Sequence, residues 1–343
     1  MKTTAFKTKF AALLIVLALG AGAAQAQSLD IPSKHWGLSF GNSKVFSGLR
    51  FNFRDSQVKI IDGVNITLWQ PRKDNDESVI TGLSFGTIPG GGILRGVQIG
   101  LLGVAGNHSV TGVSMAGLGI GAGDDLNGIN FAGLGMGAGK NMAGFNIAGI
   151  GMGAGENLSG VNIAGIGMGA GKDMEGINIA GLGLGGSDNI VGISIAGLGA
   201  GAGKNMTGLN IAGLGLGAGE NLSGINISGL ALGAGKVLSG VTIAGLAAGS
   251  PEIRGLTIAG GAVGGKILKG LQVAGGMVHV VKEGSFYGGA VSPFNYIRGS
   301  QTGVTIGIVN YAWTVKGVQL GLVNIVRDNP AGLKVLPIFN TGF

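Results

Sequence analysis

The chain has 343 residues, a formal net charge of +7, no cysteine, 75 glycines and only 11% charged side chains. A hydrophobic content of 45% excludes a disordered polar chain, and a cysteine-free sequence excludes a disulfide-stapled domain. Collagen needs glycine at every third position and abundant proline, and there are 7 prolines, so a glycine-rich repeat protein of β type remains.

The chain opens with Lys2, Lys7 and Lys9, then the apolar run Phe10–Leu19, then Ala24-Gln25-Ala26. A basic start, a short apolar run and an A-x-A site predict a signal peptide over residues 1–26. The run is too short to span a bilayer. Without the three leader lysines the net charge falls to about +4, and the other basic residues are scattered, so no nucleic-acid partner is expected.

Residues 27–95 read as atypical β repeats that cap an apolar stack, with Trp36, Trp69 and weak periodicity. Pro71 to Ser78 forms a charged loop. Its Asp74, Asp76 and Glu77 are carboxylates of the kind Ca²⁺ prefers, but they read as a solvated charge run.

Residues 96–283 form a regular glycine-rich array. Glycines recur sixteen apart at Gly112, Gly128, Gly144, Gly160, Gly176, Gly192, Gly208, Gly224 and Gly240, then fifteen apart at Gly255 and Gly270. With Gly160 as place 1, the specimen repeat is G-V-N-I-A-G-I-G-M-G-A-G-K-D-M-E. Apolar side chains fill places 2, 4, 7, 9 and 15: Val161, Ile163, Ile166, Met168 and Met174. About five glycines per repeat, at roughly 1 kcal/mol each in a helix interior, exclude helix. The repeat parses as three cassettes, each with an aliphatic centre, as Glu156 to Gly171 shows: E-N-L-S-G, V-N-I-A-G and I-G-M-G-A-G. This predicts an all-β solenoid of 14–16-residue coils, stacked at about 4.8 Å, with all five apolar places pointing inward. Asn130, Asn146, Asn162, Asn178, Asn210 and Asn226 are then expected to form an outer ladder of amides.

Place 13 carries a charge of alternating sign: Asp124, Lys140, Glu156, Lys172, Asp188, Lys204, Glu220 and Lys236, with Glu252 continuing the series. In a parallel stack opposite charges would be neighbours, and the alternation would help to fix register. The same alternation permits an up-and-down outer-membrane β-barrel, with acids at one end and lysines at the other. The terminal Phe343 after alternating apolar residues fits that alternative. Two features oppose it: no Trp or Tyr girdle occurs between Gly112 and Gly270, and a straight strand would be aliphatic on both faces.

Residues 284–343 comprise an irregular segment and C-terminal repeats ending in Phe343. Phe286, Tyr287, Pro293 and Tyr296 interrupt the pattern, and such interruptions are natural places for binding. Gly303-Val-Thr-Ile-Gly-Ile-Val-Asn310 and Gly317-Val-Gln-Leu-Gly-Leu-Val-Asn324 share a motif that begins again at Gly96-Val97-Gln98-Ile99-Gly100-Leu101. This G-V-Q-L-G-L-V-N pattern resembles the bacterial surface-repeat proteins of the spirochaete type, over about residue 82 to the C-terminus. The resemblance implies an envelope location and no chemistry.

No catalytic constellation emerges. His35, His108 and His279 have no metal-ligand spacing. Gly135-Met136-Gly137-Ala138-Gly139-Lys140 has the look of a phosphate loop, but it recurs in every repeat and Asn141 follows the lysine. The expectation is therefore an exported, non-enzymatic envelope or cell-surface protein without cofactor, metal or small-molecule substrate. Two alternatives are an outer-membrane barrel, including a pore, and an ice- or glycan-binding flat face built on the asparagine ladder.

Overall fold

The computed structural model describes residues 28–343, so the leader expected over residues 1–26 lies outside the described residues. The protein is all-β, with 73% strand and 1% helix. The described residues divide into two compact units, 28–123 and 124–343. Both are β-solenoids, together of about 16 coils.

In the first unit, strand Ser28–Pro32 lies antiparallel on Trp36–Gly41. Parallel strands follow in the order Val45–Asn52, Ile60–Thr67, Val79–Gly86, Gly90–Gly100 and Gly103–Ala116. Their glycines align as Gly37, Gly48, Gly63, Gly82, Gly96 and Gly112, all at positive φ. The inward place two residues after each glycine is polar: Ser39, Arg50, Asn65, Ser84, Gln98 and Ser114. Arg50 is fully buried, and its guanidinium donates to Asp55 at 2.6 Å and to Asn65 at 2.7 Å. A buried charge is tolerable only when paired in this way.

In the second unit each regular coil has a long and a short strand, for example Leu158–Ala164 and Gly167–Ala170. Long strands pair only with long strands of adjacent coils, parallel and in register, as in Met142↔Leu158 and Asn146↔Asn162. Short strands pair likewise, as in Met152↔Met168. Residues 284–302, expected to be irregular, continue the stack: Ser285 to Val291 pair with Ile267 to Val273 and with Ser300 to Ile306. The extra residues are absorbed by register shifts between Gly265 and Ile267 and between Val280 and Ser285. Strand Val335–Asn340 lies antiparallel on residues 319–325.

This pairing overturns the barrel. A barrel of successive repeats requires antiparallel neighbours, whereas adjacent coils here run parallel around an inner core.

Of the five places expected in the core, two point inward. Place 15 points inward and is fully buried at Leu126, Met142, Leu158, Met174, Ile190 and Met206. Place 9 is buried at Met136, Met152, Met168 and Leu184. Places 2, 4 and 7 point outward instead, as at Ile177, Ile179 and Leu182. The asparagines expected on an outer ladder are fully buried: Asn130, Asn146, Asn162, Asn178, Asn210 and Asn226. Two constraints cause the reversal. Side chains alternate along a strand, so a buried Leu158 puts Asn162 and Ala164 inside and Val161 and Ile163 outside. A sixteen-residue coil also encloses little volume, and two large apolar side chains, one amide and two alanines fill it.

Place 1 is where a positive φ demands glycine, whereas places 6 and 12 are closed by backbone contact, a Cβ at Gly165 or Gly155 colliding with the Gly149 or Gly139 carbonyl oxygen. Gly160 has φ +99, and an added Cβ would collide with the Gly144 carbonyl oxygen of the coil before it. The same holds at Gly144, Gly176, Gly192 and Gly208. A positive φ leaves the extended region, so this glycine divides each long strand into two limbs.

Candidate interaction surfaces

The inward asparagines make two ladders along the coil axis. Asn130 Nδ2 donates to Asn146 Oδ1 at 2.8 Å, Asn146 to Asn162 at 2.9 Å, and Asn162 to Asn178 at 2.9 Å. Ser194 separates the two, and Asn210 donates to Asn226 at 2.9 Å beyond the break. These amides are fully buried in the core, bonded to one another except at the ends of each run, so the ladders offer nothing to ice or to a glycan. That expectation is overturned by burial.

The outward surface of the second unit differs around each coil. The limb after the glycine carries places 2 and 4. Place 2 is Ile129, Phe145, Val161, Ile177, Ile193, Leu209, Ile225 and Val241, and Phe131 and Phe145 meet edge-on at 5.9 Å between ring centroids. Place 7 adds a column of Leu134, Ile150, Ile166, Leu182, Leu198, Leu214 and Leu230, each 47–49% exposed. Together these columns form an aliphatic surface far more continuous than scattered exposed leucines.

The short strand presents a second surface made almost wholly of glycine. Places 8 and 10 point outward as Gly135 and Gly137, Gly151 and Gly153, Gly167 and Gly169, Gly183 and Gly185, Gly199 and Gly201, and Gly215 and Gly217. None has a positive φ. A Cβ at Gly153, Gly169 or Gly185 would stand 3.6–3.8 Å from a backbone oxygen, an ordinary contact. Alanine already occupies place 8 at Ala231, Ala247 and Ala262.

The third surface is polar. The charge column at place 13 runs along the edge between the short strand and the next long strand. Its members pair in twos: Lys140 with Asp124 at 2.9 Å, Lys172 with Glu156 at 2.9 Å, Lys204 with Asp188 at 2.9 Å, and Lys236 with Glu220 at 2.8 Å. Hydrogen bonding to Asp124 and to Asp188 raises the pKa of Lys140 and Lys204. Glu252 is engaged by Arg254 at 2.9 Å and Lys269 at 2.8 Å, which lower its pKa to about 2.

Beside that column, at place 14, lies a further amide ladder that sequence reasoning missed. Asn141 donates to Asp125 and Asn157 to Asn141, each at 2.9 Å. Asn189 donates to Asp173 at 2.9 Å, Asn205 to Asn189 at 2.8 Å, and Asn221 to Asn205 at 2.7 Å. A carboxylate can only accept, so Asp125 and Asp173 each set the direction of the run above them. The signal was visible in the sequence as Asp or Asn following each place-13 charge from Asp124 to Glu220.

The other singled-out residues do not converge. His35 and His108 are exposed, and His279 stacks on Tyr296 with ring centroids 5.7 Å apart. Asp74 accepts from Ser56 at 2.7 Å, and Asp76 accepts from Asn107, so both serve loop contacts. Among the described residues no group of three or more His, Asp or Glu side chains could hold a metal ion.

In comparisons with known proteins, no family model, no curated protein and no solved structure matches this chain.

Proposed function

We propose that this chain is an exported, non-enzymatic cell-envelope repeat protein of the surface-repeat kind, serving as a rigid interaction scaffold. The observation that carries this reading is the outward aliphatic surface at places 2, 4 and 7, repeated coil after coil on a stack whose core is complete without it. Contiguous apolar surface of this extent commonly marks an interaction site. The leader-like residues 1–26 and the G-V-Q-L-G-L-V-N motif support an envelope location.

Fractionation of cells expressing the chain, with and without residues 1–26, tests export. Recovery of both forms in the cytoplasm overturns it. Urea or carbonate extraction of the envelope fraction then tests the scaffold role, with release as a peripheral protein expected. Replacing Ile177 and Ile193 by Asp should move the protein out of that fraction, and unchanged partitioning would remove the aliphatic surface from the argument.

A further inference from the structure

The glycine strip of the second unit has no cause inside the chain. Its φ values do not call for glycine, a Cβ at Gly153, Gly169 or Gly185 of place 10 would meet only ordinary contacts, and place 8, though tighter at 3.2–3.4 Å for Gly135, Gly151 and Gly167, already holds alanine at Ala231, Ala247 and Ala262. Glycine in a strand costs backbone entropy on folding, and where the fold does not require it, it marks close approach of another backbone. The strip is flanked on one side by the Leu134-to-Leu246 column at place 7 and on the other by the place-13 charges.

We propose that this strip is the contact face of an antiparallel dimer, its occupant a second copy of the same chain. The charges are complementary to those of a second copy. From Asp124 to Lys236 the column holds eight charges of strictly alternating sign, and reading such a column backwards inverts every sign. A two-fold axis that crosses the stack along the strand direction, midway between Lys172 and Asp188, therefore sets each acid against a lysine. Asp124 faces the second copy's Lys236, Lys140 its Glu220, Glu156 its Lys204, and Lys172 its Asp188.

The same axis leaves leucine against leucine on the other flank. A two-fold along the stack would instead set leucines against charges, so the crossing axis is selected. The eight charges already pair in twos within their own chain, so each cross-copy contact joins one such pair to another, and Glu252, next in the series, is held by Arg254 and Lys269. Eight coils at the strand spacing make the strip about 40 Å long, and with both flanks about 20 Å wide. That is about 800 Å² per partner, the size of a standard specific interface. The contact is isologous, as two-fold symmetry requires. This inference goes beyond the envelope reading and does not depend on it.

Sedimentation analysis of the purified chain should show a dimer at micromolar concentration. Gly169→Gln with Gly185→Gln should weaken it at least about tenfold, with unchanged circular dichroism, while Ile177→Gln on the aliphatic surface should leave it intact. Lys140→Glu alone should weaken the dimer, because two like-charge contacts replace two attractive ones.

Adding Glu220→Lys should restore it. Those two sites are five coils, about 24 Å, apart in one chain, so rescue can act only between copies. A wild-type chain that stays monomeric at 100 µM overturns the proposal, whatever else the strip adsorbs to. So does a dimer indifferent to Gly169 and Gly185, or a Lys140→Glu/Glu220→Lys chain no better than Lys140→Glu.

Discussion

Asn146 donates its side-chain amide to Asn162 at 2.9 Å, with both residues fully buried. Asn162 passes the pattern on to Asn178. Replacing Asn162 by Ala leaves a donor on Asn146 and an acceptor on Asn178 unpaired in the core. Each orphaned group costs about 1–3 kcal/mol, so a loss of about 2–6 kcal/mol is expected. Native-state hydrogen exchange across residues 142–180 measures it coil by coil, which suits a stack that need not unfold in one step. Protection equal to that of the parent chain would show that the ladder contributes nothing net.

The repeat period and the solenoid were legible because Gly160 and its equivalents recur at one spacing and because places 9 and 15 hold large aliphatics. The phase of the strand was misread. Hydrophobicity placed Val161 and Ile163 inside and Asn162 outside, since an isolated buried amide is costly. In a parallel stack the amide is not isolated, because the coils before and after supply its partners. Parity carried the missing information: Leu158, Asn162 and Ala164 lie on one side of an alternating strand. The glycine strip was hidden for another reason. Glycine at places 8 and 10 looks like glycine at place 1 until backbone angles separate the required from the permitted.

That separation gives a paired prediction. Gly160→Ala forces an L side chain to φ +99 against the Gly144 carbonyl and should destabilise by about 2 kcal/mol or more. Gly153→Ala, with a Cβ 3.7 Å from the Gly169 oxygen, should be neutral or stabilise the fold by about 0.4–1 kcal/mol. Urea melts of the two variants at one protein concentration check the contrast. Equal losses would mean that both glycines are structural.

Glu252 gives a pH prediction. Hydrogen bonds from Arg254 and Lys269 hold its folded pKa at about 2, below the ordinary 4.5. A depressed carboxylate contributes stability that is present above the ordinary value and lost as pH falls through the folded one. The contribution of Glu252 should therefore fade between pH 4.5 and about 2. Carbon-detected titration of its carboxyl should show the low midpoint, and Arg254→Ala should move it upward. An ordinary midpoint in the parent chain would mean that the two cations do not hold it in solution.

The ladder at place 14 is cut by its own acid. Asp173 accepts from the backbone and side-chain nitrogens of Asn189 at 3.0 and 2.9 Å, but it has no proton to offer Asn157 on its other side. Asp173→Asn keeps an acceptor for Asn189 and adds a donor for the Asn157 oxygen, joining Asp125–Asn141–Asn157 to Asn189–Asn205–Asn221 in one run. One new neutral hydrogen bond in a half-buried site is worth about 0.5–1.5 kcal/mol, so the variant should be more stable than the parent. The opposing effect is loss of the attraction between Asp173 and Lys204, which is exposed and screened by salt. The gain should therefore grow with ionic strength. A variant that loses stability at high salt would show that the carboxylate, rather than the continuity of the ladder, is what this corner requires.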